Sequence, residues 1–350
     1  MSDTWASNTD LASIAAWIKG LKRIVVLTHV KPDGDAVGST VAVTRAINLA
    51  AKREVAIPWY WGPLPDWMPD VLQGLKHRVV DEQNRAEHDE REDPDGVLIL
   101  DTGSWTQLHE VKEWLLPRTD ITAVVDHHQQ GDPEVAAKRF IQTNSAAACE
   151  IAVDLCCKLL GVPSASKLPL EVATPLFLGI ATDTGWFRHS NVAPATMRAA
   201  AGLIEAGVNH PKLYEIIEQR DRVSRIKLMA RALNSLELFD NDRVAMMTLT
   251  LQDFHDCHAS SNDSGGFADI ALKAEKIQVC AVVTEAFVHP GDGNITKVSF
   301  RAKDGPTSMD VNAVAKKLGG GGHVRAAGAK VSAGLAETKK KVIAAMGLKG

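Results

Sequence analysis

Four segments in the first half of the chain contain continuous runs of apolar residues. Strands of a sheet with one solvated face would instead show alternating apolar and polar residues. The four segments are RIVVLTH (23–29), EVAIPWY (54–60), GVLILD (96–101) and ITAVVDHH (121–128). Uninterrupted apolar runs of this length are typical of strands that are buried on both faces. Helical spacing separates them, for example from Ala36 to Lys52 and from Thr106 to Leu116. The pattern predicts an α/β domain built on a parallel sheet.

The rest of the chain shows two further secondary-structure patterns. It reads as almost wholly helical from about Ser145 to Phe239, and strand and turn signals then precede a glycine-rich loop and a last helix. A chain of 350 residues is long enough for two domains that each bury a core. We expect a parallel-sheet domain over residues 1–208, a helical linker over 209–240 and a smaller α+β domain over 241–350.

Charge and composition narrow the range of partners. The chain has 39 Lys and Arg against 43 Asp and Glu, which argues against tight binding to long duplex nucleic acid, because that affinity needs many cationic contacts. No apolar run reaches the roughly 18 residues of a membrane span, and the first ten residues lack a secretory pattern. The five cysteines fit reduced thiols. We expect a cytoplasmic protein without a membrane partner, and a solvated loop at 81–96.

Acidic residues and histidines follow three of the predicted strands. They are His29, Asp33 and Asp35 after the first run, Asp101 after the third, and Asp126, His127 and His128 after the fourth. Because the carboxyl ends of parallel strands share one edge of a sheet, these side chains should converge on one crevice. Asp183 ends an apolar helical stretch and would cost several kcal/mol to bury without a partner.

This residue set indicates a metal site. Carboxylates with a minority of imidazoles suit two divalent ions, with manganese as the expected metal, and the lack of cysteine ligands argues against structural zinc. Two ions about 3.5 to 4 Å apart are the usual arrangement for phosphoryl hydrolysis. Two other clusters are interpreted as structural: Trp59, Trp61 and Trp67 as packing over the sheet, and His255, Cys257 and His258 as an exposed turn.

Four segments, in this order, resemble the motifs of the DHH family of phosphoesterases: HVKPDGDAVGS, ILDTG, VVDHHQ and GIATDTGWF. In the second half, SFRAKDG (299–305) and VNAVAKKLGGGGHVRAAGAKV (311–331) resemble a DHHA1 substrate-recognition domain. That domain occurs in the subgroup containing bifunctional oligoribonucleases and 3′-phosphoadenosine 5′-phosphate phosphatases. The resemblance spans nearly the whole chain and implies a DHH domain, a helical linker and a DHHA1 domain.

The resemblance also implies residue roles. His29, Asp33 and Asp183 would hold one metal ion, Asp35 and His127 the other, and Asp101 would bridge both. His128 would face the scissile phosphate. Asp126 is placed in the catalytic set for a reason that does not depend on the resemblance, because its position directly before the two histidines predicts that it orients an imidazole. The candidate substrate contacts are Arg301, Gly320, Gly321, Gly322, His323 and Arg188. Many members of the family that the chain resembles have serine where this chain has Ala302, so a hydroxyl contact to substrate is expected to be missing.

We therefore expect a two-metal phosphoesterase that hydrolyses short oligoribonucleotides to mononucleotides, 3′-phosphoadenosine 5′-phosphate to AMP and phosphate, or both. Its partners would be short single-stranded RNA or DNA and phosphorylated nucleotides, and a homodimer is left open. Hydrolysis of cyclic or linear dinucleotides, such as c-di-AMP or pApA, is kept as the alternative. A family II inorganic pyrophosphatase would lack the GGGGH segment, and a non-catalytic nucleotide-binding protein would be expected to lack some of the six ligands.

Overall fold

The computed structural model describes residues 4–80, 93–286, 294–305 and 308–348. The chain divides into two compact units, with the division between Gln219 and Arg220. Of the sequence predictions, the solvated loop lies outside the described residues over 81–92. Within the described ranges, no helix has the length and apolarity needed to cross a membrane.

The first unit is built on a fully parallel sheet. Its described strands are β1 (Ile24–Leu27), β2 (Ala56–Trp61), β3 (Arg78–Val80), β4 (Gly96–Leu100), β5 (Thr122–Asp126) and β6 (Lys138–Ile141). They lie in the order β3-β2-β1-β4-β5-β6, so the direction of winding reverses between β1 and β4. Ligands of open parallel sheets collect beyond the carboxyl ends of the strands at such a reversal. The predicted fold class is confirmed.

Helices cover both faces of this sheet. They are α1 (Leu11–Lys19), α2 (Gly34–Ala51), α3 (Met68–Leu72), α4 (Lys112–Leu115), α5 (Ala148–Leu160), α6 (Leu170–Asp183), α7 (Pro194–Glu205) and α8 (His210–Glu218). The predicted helix from Thr106 to Leu116 is wrong over most of its length, because turns fill the segment before α4 and a 3₁₀ helix with Pro117 follows it. Trp59 and Trp61 on β2 are each 4% exposed, which confirms their assignment to the core.

Two glycines let α2, α5 and α6 pack closely. A Cβ at Gly38 would lie 2.4 Å from the carbonyl oxygen of Pro175 in α6. A Cβ at Gly179 would lie 2.2 Å from the Sγ of Cys149 and 2.8 Å from Oδ1 of Asp35. Because neither glycine has a Cβ, the start of α2 approaches α6 at the edge of the sheet where the predicted ligands lie.

The second unit contains a mixed sheet with helices. Its elements in chain order are α9 (Val223–Asn234), β7 (Glu237–Phe239), β8 (Val244–Leu249), α10 (Leu251–Cys257), α11 (Phe267–Ala271), β9 (Val279–Glu285), β10 (Thr296–Ala302), α12 (Val311–Lys317), β11 (Gly321–Gly322), β12 (Ala326–Val331) and α13 (Leu335–Ala345). The strand order is β11-β12-β10-β9-β8-β7, antiparallel except between β8 and β9. The predicted α+β class is confirmed. His255 and Cys257 lie in α10, so their assignment to a turn is wrong.

The segment predicted as a helical linker, 209–240, contains α8, α9 and β7. The division between the two units falls inside it, before α9. Strand β7 pairs with β8 in the second sheet, and its three residues therefore belong structurally to that unit. The domain boundaries stated from the sequence remain predictions.

Candidate metal centre

The loop after β1 brings three of the predicted ligands to the carboxyl end of the sheet. Asp33 is the N-cap of α2, and its Oδ1 accepts hydrogen bonds from the backbone N–H of Asp35 at 3.0 Å and of Ala36 at 3.1 Å. Such a cap satisfies amides that have no partner within the helix, so the helix start fixes where Asp33 lies. Asp35 falls in the first turn and is 1% exposed. The Nδ1 of His29 contacts the carbonyl oxygen of Val30 at 2.9 Å.

The next two strands along the sheet deliver further ligands at the same edge. Asp101 directly follows β4, is 2% exposed and has a φ of 63°. This left-handed conformation costs a non-glycine residue on the order of 1 kcal/mol and is concentrated at functional sites. Asp126 ends β5 and is fully buried, and His127 and His128 follow it. Backbone strain at a buried carboxylate supports a functional role for Asp101.

The two histidines face different oxygens of Asp101. The Nε2 of His29 lies 3.6 Å from Asp101 Oδ2 and 3.7 Å from Asp33 Oδ1. The Nε2 of His127 lies 3.4 Å from Asp101 Oδ1. It also lies 3.8 Å from an Oδ2 atom of each of two further carboxylates, Asp35 and Asp183. One carboxylate therefore lies between two histidine-centred groups, as a bridging ligand would.

Three groups with metal-ligand geometry lie at this site. Their members are His29, Asp33 and Asp101 in the first, Asp35, His127 and Asp183 in the second, and Asp101, Asp126, His127 and His128 in the third. The first two groups meet at Asp101, because His127 of the second lies 3.4 Å from Asp101 Oδ1. Within each group the candidate ligand atoms lie within 4.8 Å of one another. The resemblance implied that Asp183 shares an ion with His29 and Asp33, whereas this geometry places Asp183 with Asp35 and His127.

The donor set fits hard divalent cations. The Oδ1 atom of Asp101 is buried and has no hydrogen-bond partner in the described part of the chain, so it has an unused acceptor. A buried carboxylate oxygen that accepts no hydrogen bond is costly, and a cation would remove that cost. Cys149 lies behind Asp35, but burial first, and then the charge of Asp35, raises the pKa of its thiol well above the usual value. Cys149 belongs to none of the candidate ligand groups of the described residues, so oxygen and imidazole ligands remain.

The carboxylates at this site repel one another. Burial, and then the charges of Asp101 and Asp183, raise the pKa of Asp35 well above its usual value. Burial is also the main cause of the rise in the pKa of Asp183 to about 6, although His127 opposes it. Both groups therefore gain a proton more easily than a free carboxylate does. A bound cation would hold them in the ionised form.

The histidines partly neutralise this charge. Burial alone would lower the pKa of His29, but the neighbouring carboxylates of Asp101 and Asp33 outweigh it and raise the pKa to about 11. Burial likewise opposes protonation of His127, and Asp101 and Asp35 raise its pKa to about 10. Without a metal ion, the imidazolium groups supply positive charge at the positions where a cation would supply it.

Asp126 orients His128 rather than His127. The Nδ1 of His128 lies 2.7 Å from Asp126 Oδ1, which also accepts the backbone N–H of His127 at 2.7 Å. This contact is the main cause of the raised pKa of His128. The His128 side chain is 52% exposed, so its ring is fixed on one side and accessible on the other. Sequence reasoning foresaw that Asp126 orients an imidazole but did not say which one.

The sequence analysis missed the backbone groups that hold Asp35. Helix α5 has Ala147 at its N-cap, with no side-chain cap of its own. Its first amides instead donate to Asp35, from Ala148 N to Oδ2 at 2.6 Å and from Cys149 N to Oδ1 at 2.8 Å. A helix start without a capping residue indicates that an acceptor must come from elsewhere. The missing capping residue can be recognised in the sequence. The acceptor, Asp35, cannot be recognised, because it lies 113 residues away.

The turn before α5 also supports His127. The Nδ1 of His127 lies 3.3 Å from the carbonyl oxygen of Ser145. Glu150 Oε2 accepts the backbone N–H of Ala146 at 3.0 Å and the hydroxyl of Thr196 at 2.9 Å. These contacts tie the turn to α7. A histidine ligand whose second nitrogen meets a carbonyl is the usual support in metal sites.

Arg188 lies on the loop after α6, five residues beyond Asp183. Its side chain is exposed, and its Nε donates to the carbonyl oxygen of Gly185 at 2.6 Å. Trp186 and Phe187, between them, both have positive φ values, of 57° and 64°. The loop thus turns sharply after the last predicted metal ligand.

The candidate substrate contacts of the second unit lie on neighbouring strands. Arg301 on β10 is directly opposite Ala326 on β12, and its Nε lies 3.7 Å from Asp269 Oδ1. His323 donates its backbone N–H to the carbonyl oxygen of Ala326 at 2.7 Å. The guanidinium of Arg301 is 41% exposed, and His323 is exposed. The structure therefore brings Arg301 and the turn at His323 close together.

The glycine-rich segment is an ordered edge strand. Gly321 and Gly322 form β11, which pairs with Gly328 and Ala327 of β12. A Cβ at Gly320 would lie 2.1 Å from the carbonyl oxygen of Gly328, and Gly322 has a φ of 148°. Glycine is therefore required here by close backbone approach and by conformation.

Ala302 lies on the other face of β10 from Arg301, and the expected loss of a substrate contact there stays a prediction. Along β10 the side chains alternate between buried and more accessible positions, and Ala302 is buried at 8% exposure in the core of the second unit. Arg301 lies on the opposite face. A serine hydroxyl at 302 would therefore face the core rather than share the surface of Arg301.

Two family models match the chain. Residues 23–180 match the DHH family N-terminal domain, and residues 244–347 match the DHHA1 domain. The chain therefore has a DHH domain followed by a DHHA1 domain. It is 29% identical to the bifunctional oligoribonuclease and PAP phosphatase NrnA of Thermus thermophilus, over 93% of this chain and 88% of that protein. It is 25% identical to the NrnA of Mycoplasma pneumoniae, over 91% and 90% of the two chains.

Other similarities are more distant. A cyclic-di-AMP phosphodiesterase, GdpP of Geobacillus thermodenitrificans, is 24% identical over 89% of this chain but only 45% of its own length. The crystal structure of an exopolyphosphatase-related protein from Bacteroides fragilis superposes with a TM-score of 0.82 at 19% identity, covering 96% of this chain and 95% of that one. At this identity the superposition shows a shared fold.

Proposed function

We propose that the chain is a metal-dependent phosphoesterase that cleaves short oligoribonucleotides to mononucleotides, 3′-phosphoadenosine 5′-phosphate to AMP and phosphate, or both. The observation that carries this proposal is the pair of histidine and carboxylate groups that meet at Asp101. Such an arrangement suits the negatively charged transition state of phosphoryl transfer. Similarity to oligoribonucleases and PAP phosphatases along most of the chain supports the same substrate class.

We propose two divalent ions, with manganese as the preferred metal. The ligands would be His29, Asp33 and Asp101 for one ion and Asp35, His127, Asp183 and Asp101 for the other. When bound, such ions activate water as a nucleophile and neutralise charge on the phosphate. The preference for manganese rests on the mixture of oxygen and imidazole ligands.

His128 and Asp126 would act on the substrate side. Asp126 fixes the imidazole of His128 through Nδ1, which leaves Nε2 for a substrate phosphate. A ring held in this way loses little conformational freedom when the substrate binds, so its contact with a phosphate oxygen is pre-organised. Asp126 itself is fully buried and would not touch the substrate.

Phosphate groups away from the reacting bond need separate contacts. We propose that the second unit supplies them through Arg301, Gly320, Gly321, Gly322 and His323, and the first unit through Arg188. A guanidinium can bind a phosphate through two hydrogen bonds, and glycines let backbone N–H groups approach it. The formal net charge of −4 supports short single-stranded substrates rather than long duplexes.

Cyclic or linear dinucleotides are the second candidate substrates. Two cyclic-di-AMP phosphodiesterases match about nine tenths of this chain, although the chain spans less than half of their lengths. A pyrophosphatase role has less support, because the second unit matches the DHHA1 domain. The cytoplasmic location and the open possibility of a homodimer are retained as predictions.

One turnover assay separates these candidates. The purified protein with manganese would be given 3′-phosphoadenosine 5′-phosphate, pApA, a 5-nucleotide RNA, a 24-nucleotide RNA, cyclic di-AMP and pyrophosphate in parallel. We expect fast loss of the short linear substrates and little action on the others. Activity mainly on cyclic di-AMP or pyrophosphate would contradict the proposed substrate class, and no turnover of any substrate would contradict the enzyme assignment.

A further inference from the structure

The segment before α1 is attached to the open edge of the first sheet. Strand β6 is the last strand at that edge. Asn8 accepts the backbone N–H of Arg139 through Oδ1 at 2.7 Å and donates its own backbone N–H to the Arg139 carbonyl at 3.0 Å. The Ser7 hydroxyl donates to the carbonyl oxygen of Ile141 at 3.0 Å and accepts its N–H at 2.8 Å. Residues 7 and 8 therefore take the place of a neighbouring strand.

This attachment fixes the position of Trp5. Its indole ring lies against Gly103 and Gly131, and a Cβ on these glycines would lie 1.8 Å and 2.5 Å from ring atoms. Gly103 belongs to the loop after β4, and Gly131 to the loop after β5. The ring thus occupies a slot between the loops that carry Asp101 and His128. The two loops also bond directly, from Asp132 N to the Gly103 carbonyl at 2.7 Å.

Trp5 makes one polar contact with the site. Its Nε1 donates a hydrogen bond to the carbonyl oxygen of His128 at 3.0 Å, across 123 positions of sequence. The ring of His128 is held by Asp126 and its carbonyl by Trp5. With both ends anchored, the residue cannot rotate about its backbone without breaking one of the two bonds.

We propose that Trp5 is a positioning residue that holds His128 in place for the substrate phosphate. The inference rests on the proposed function, because it assigns Trp5 an effect only through His128. Loss of the indole N–H should let the His128 backbone shift while leaving the predicted metal ligands in place. Small misplacements of a catalytic group have large effects on rate.

The main test compares Trp5→Phe with the wild type. Phenylalanine keeps an aromatic ring at this position and removes the N–H donor, although its smaller ring fills less of the slot. We expect kcat to fall about tenfold, as for other partners that orient a catalytic group, with little change in KM. Manganese stoichiometry and affinity, measured by calorimetry, should equal those of the wild type. Trp17→Phe is the matched control, because Trp17 contacts Gly96 at the amino end of β4, away from these loops.

A double-mutant cycle tests whether the effect passes through His128. On a His128→Ala background, Trp5→Phe should cause no further loss of kcat, because the group that it positions is absent. A further tenfold loss on that background would overturn the proposal, as would an unchanged kcat in the single variant. If kcat is unchanged in Trp5→Phe and the wild type is active, only the role of Trp5 is overturned and the proposed function stands. An inactive wild type would overturn both the role of Trp5 and the proposed function.

A spectroscopic measurement is independent of turnover. In the metal-free protein labelled with ¹³C-histidine, the His128 imidazole signal is identified by its absence from His128→Ala. Trp5→Phe should shift or broaden that signal and leave the His109 signal unchanged, because His109 is exposed and contacts the Thr106 carbonyl. An unchanged His128 signal would contradict the positioning role.

Discussion

The two units carry their candidate functional groups in opposite ways. In the first, Asp35, Asp101 and Asp126 are nearly inaccessible and meet histidines at contact distance. In the second, the Arg301 side chain is 41% exposed with a carboxylate at 3.7 Å, and His323 is exposed. Buried charges need a compensating cation, whereas exposed charges need none. This contrast supports the proposal that the first unit carries the chemistry and the second binds substrate.

The largest effect is expected from His127→Ala. It removes a ligand that faces three carboxylates, so metal binding and transition-state stabilisation should both be lost. We expect turnover to fall at least about 1000-fold, which corresponds to several kcal/mol of lost stabilisation. Manganese stoichiometry by calorimetry should also fall. His109→Ala, on the surface of the same unit, should retain full activity, and a fully active His127→Ala enzyme would refute the site.

Asp126→Asn should have the next largest effect. The amide keeps the shape of the side chain but removes the charge that orients His128, so kcat should fall about 10- to 100-fold. Manganese stoichiometry should stay unchanged, which would separate the role of Asp126 from that of the metal ligands. Loss of bound manganese in this variant would instead make Asp126 a ligand.

Arg301→Ala tests whether the second unit binds substrate. A charge-assisted hydrogen bond contributes about 1.5 to 3 kcal/mol, so KM for short substrates should rise about tenfold or more, with a smaller change in kcat. Arg243→Ala is a suitable control, because Arg243 also lies in the second unit and pairs with Asp240. An unchanged KM would show that Arg301 does not bind substrate.

The smallest effect is expected from Asp263→Asn, which concerns stability alone. Burial would raise the pKa of Asp263, but hydrogen bonds from Ser260 and the ion pair with Arg222 hold it below the usual value. A lowered pKa adds stability above the unfolded-state pKa, and this is lost as pH falls through the folded-state value.

Asp263→Asn should therefore lower the free energy of unfolding by about 1 kcal/mol at pH 7, with a difference from wild type that shrinks as the pH falls below the usual carboxyl pKa. Urea unfolding of both proteins at pH 7 and pH 3 measures this difference. A difference that grows towards acid pH would contradict the sign of the pKa shift.

The sequence predicts the parts of the fold and the site that depend on local pattern. Continuous apolar runs identify β1, β2, β4 and β5, since only strands buried on both faces tolerate them. The prediction of a helix from Thr106 to Leu116 fails, because helical spacing there competes with turns and with Pro117. The sequence correctly predicts that Asp126 orients an imidazole. It does not show which of the two neighbouring histidines is the partner, because that depends on the direction of the backbone.

Long-range contacts could not be predicted. The cap that Asp35 provides for α5 and the contact of Trp5 with His128 join residues more than one hundred positions apart. Neither pair has a spacing or composition that marks it. Such contacts depend on the order of the strands in the sheet. The sequence predicts that the strands are parallel but does not predict their order.

The close approach of α2 and α6 at Gly179 bears on which ion the site would accept. A methyl group at 179 would meet the Cys149 sulfur and the Asp35 carboxylate, so the helices would have to separate. Asp35 and Asp183, at the ends of these helices, would then move apart with every ligand still present. Larger ions such as calcium need bonds several tenths of an ångström longer than magnesium does. The size of the cation is thus limited by helix packing, and a single added carbon could alter metal selectivity.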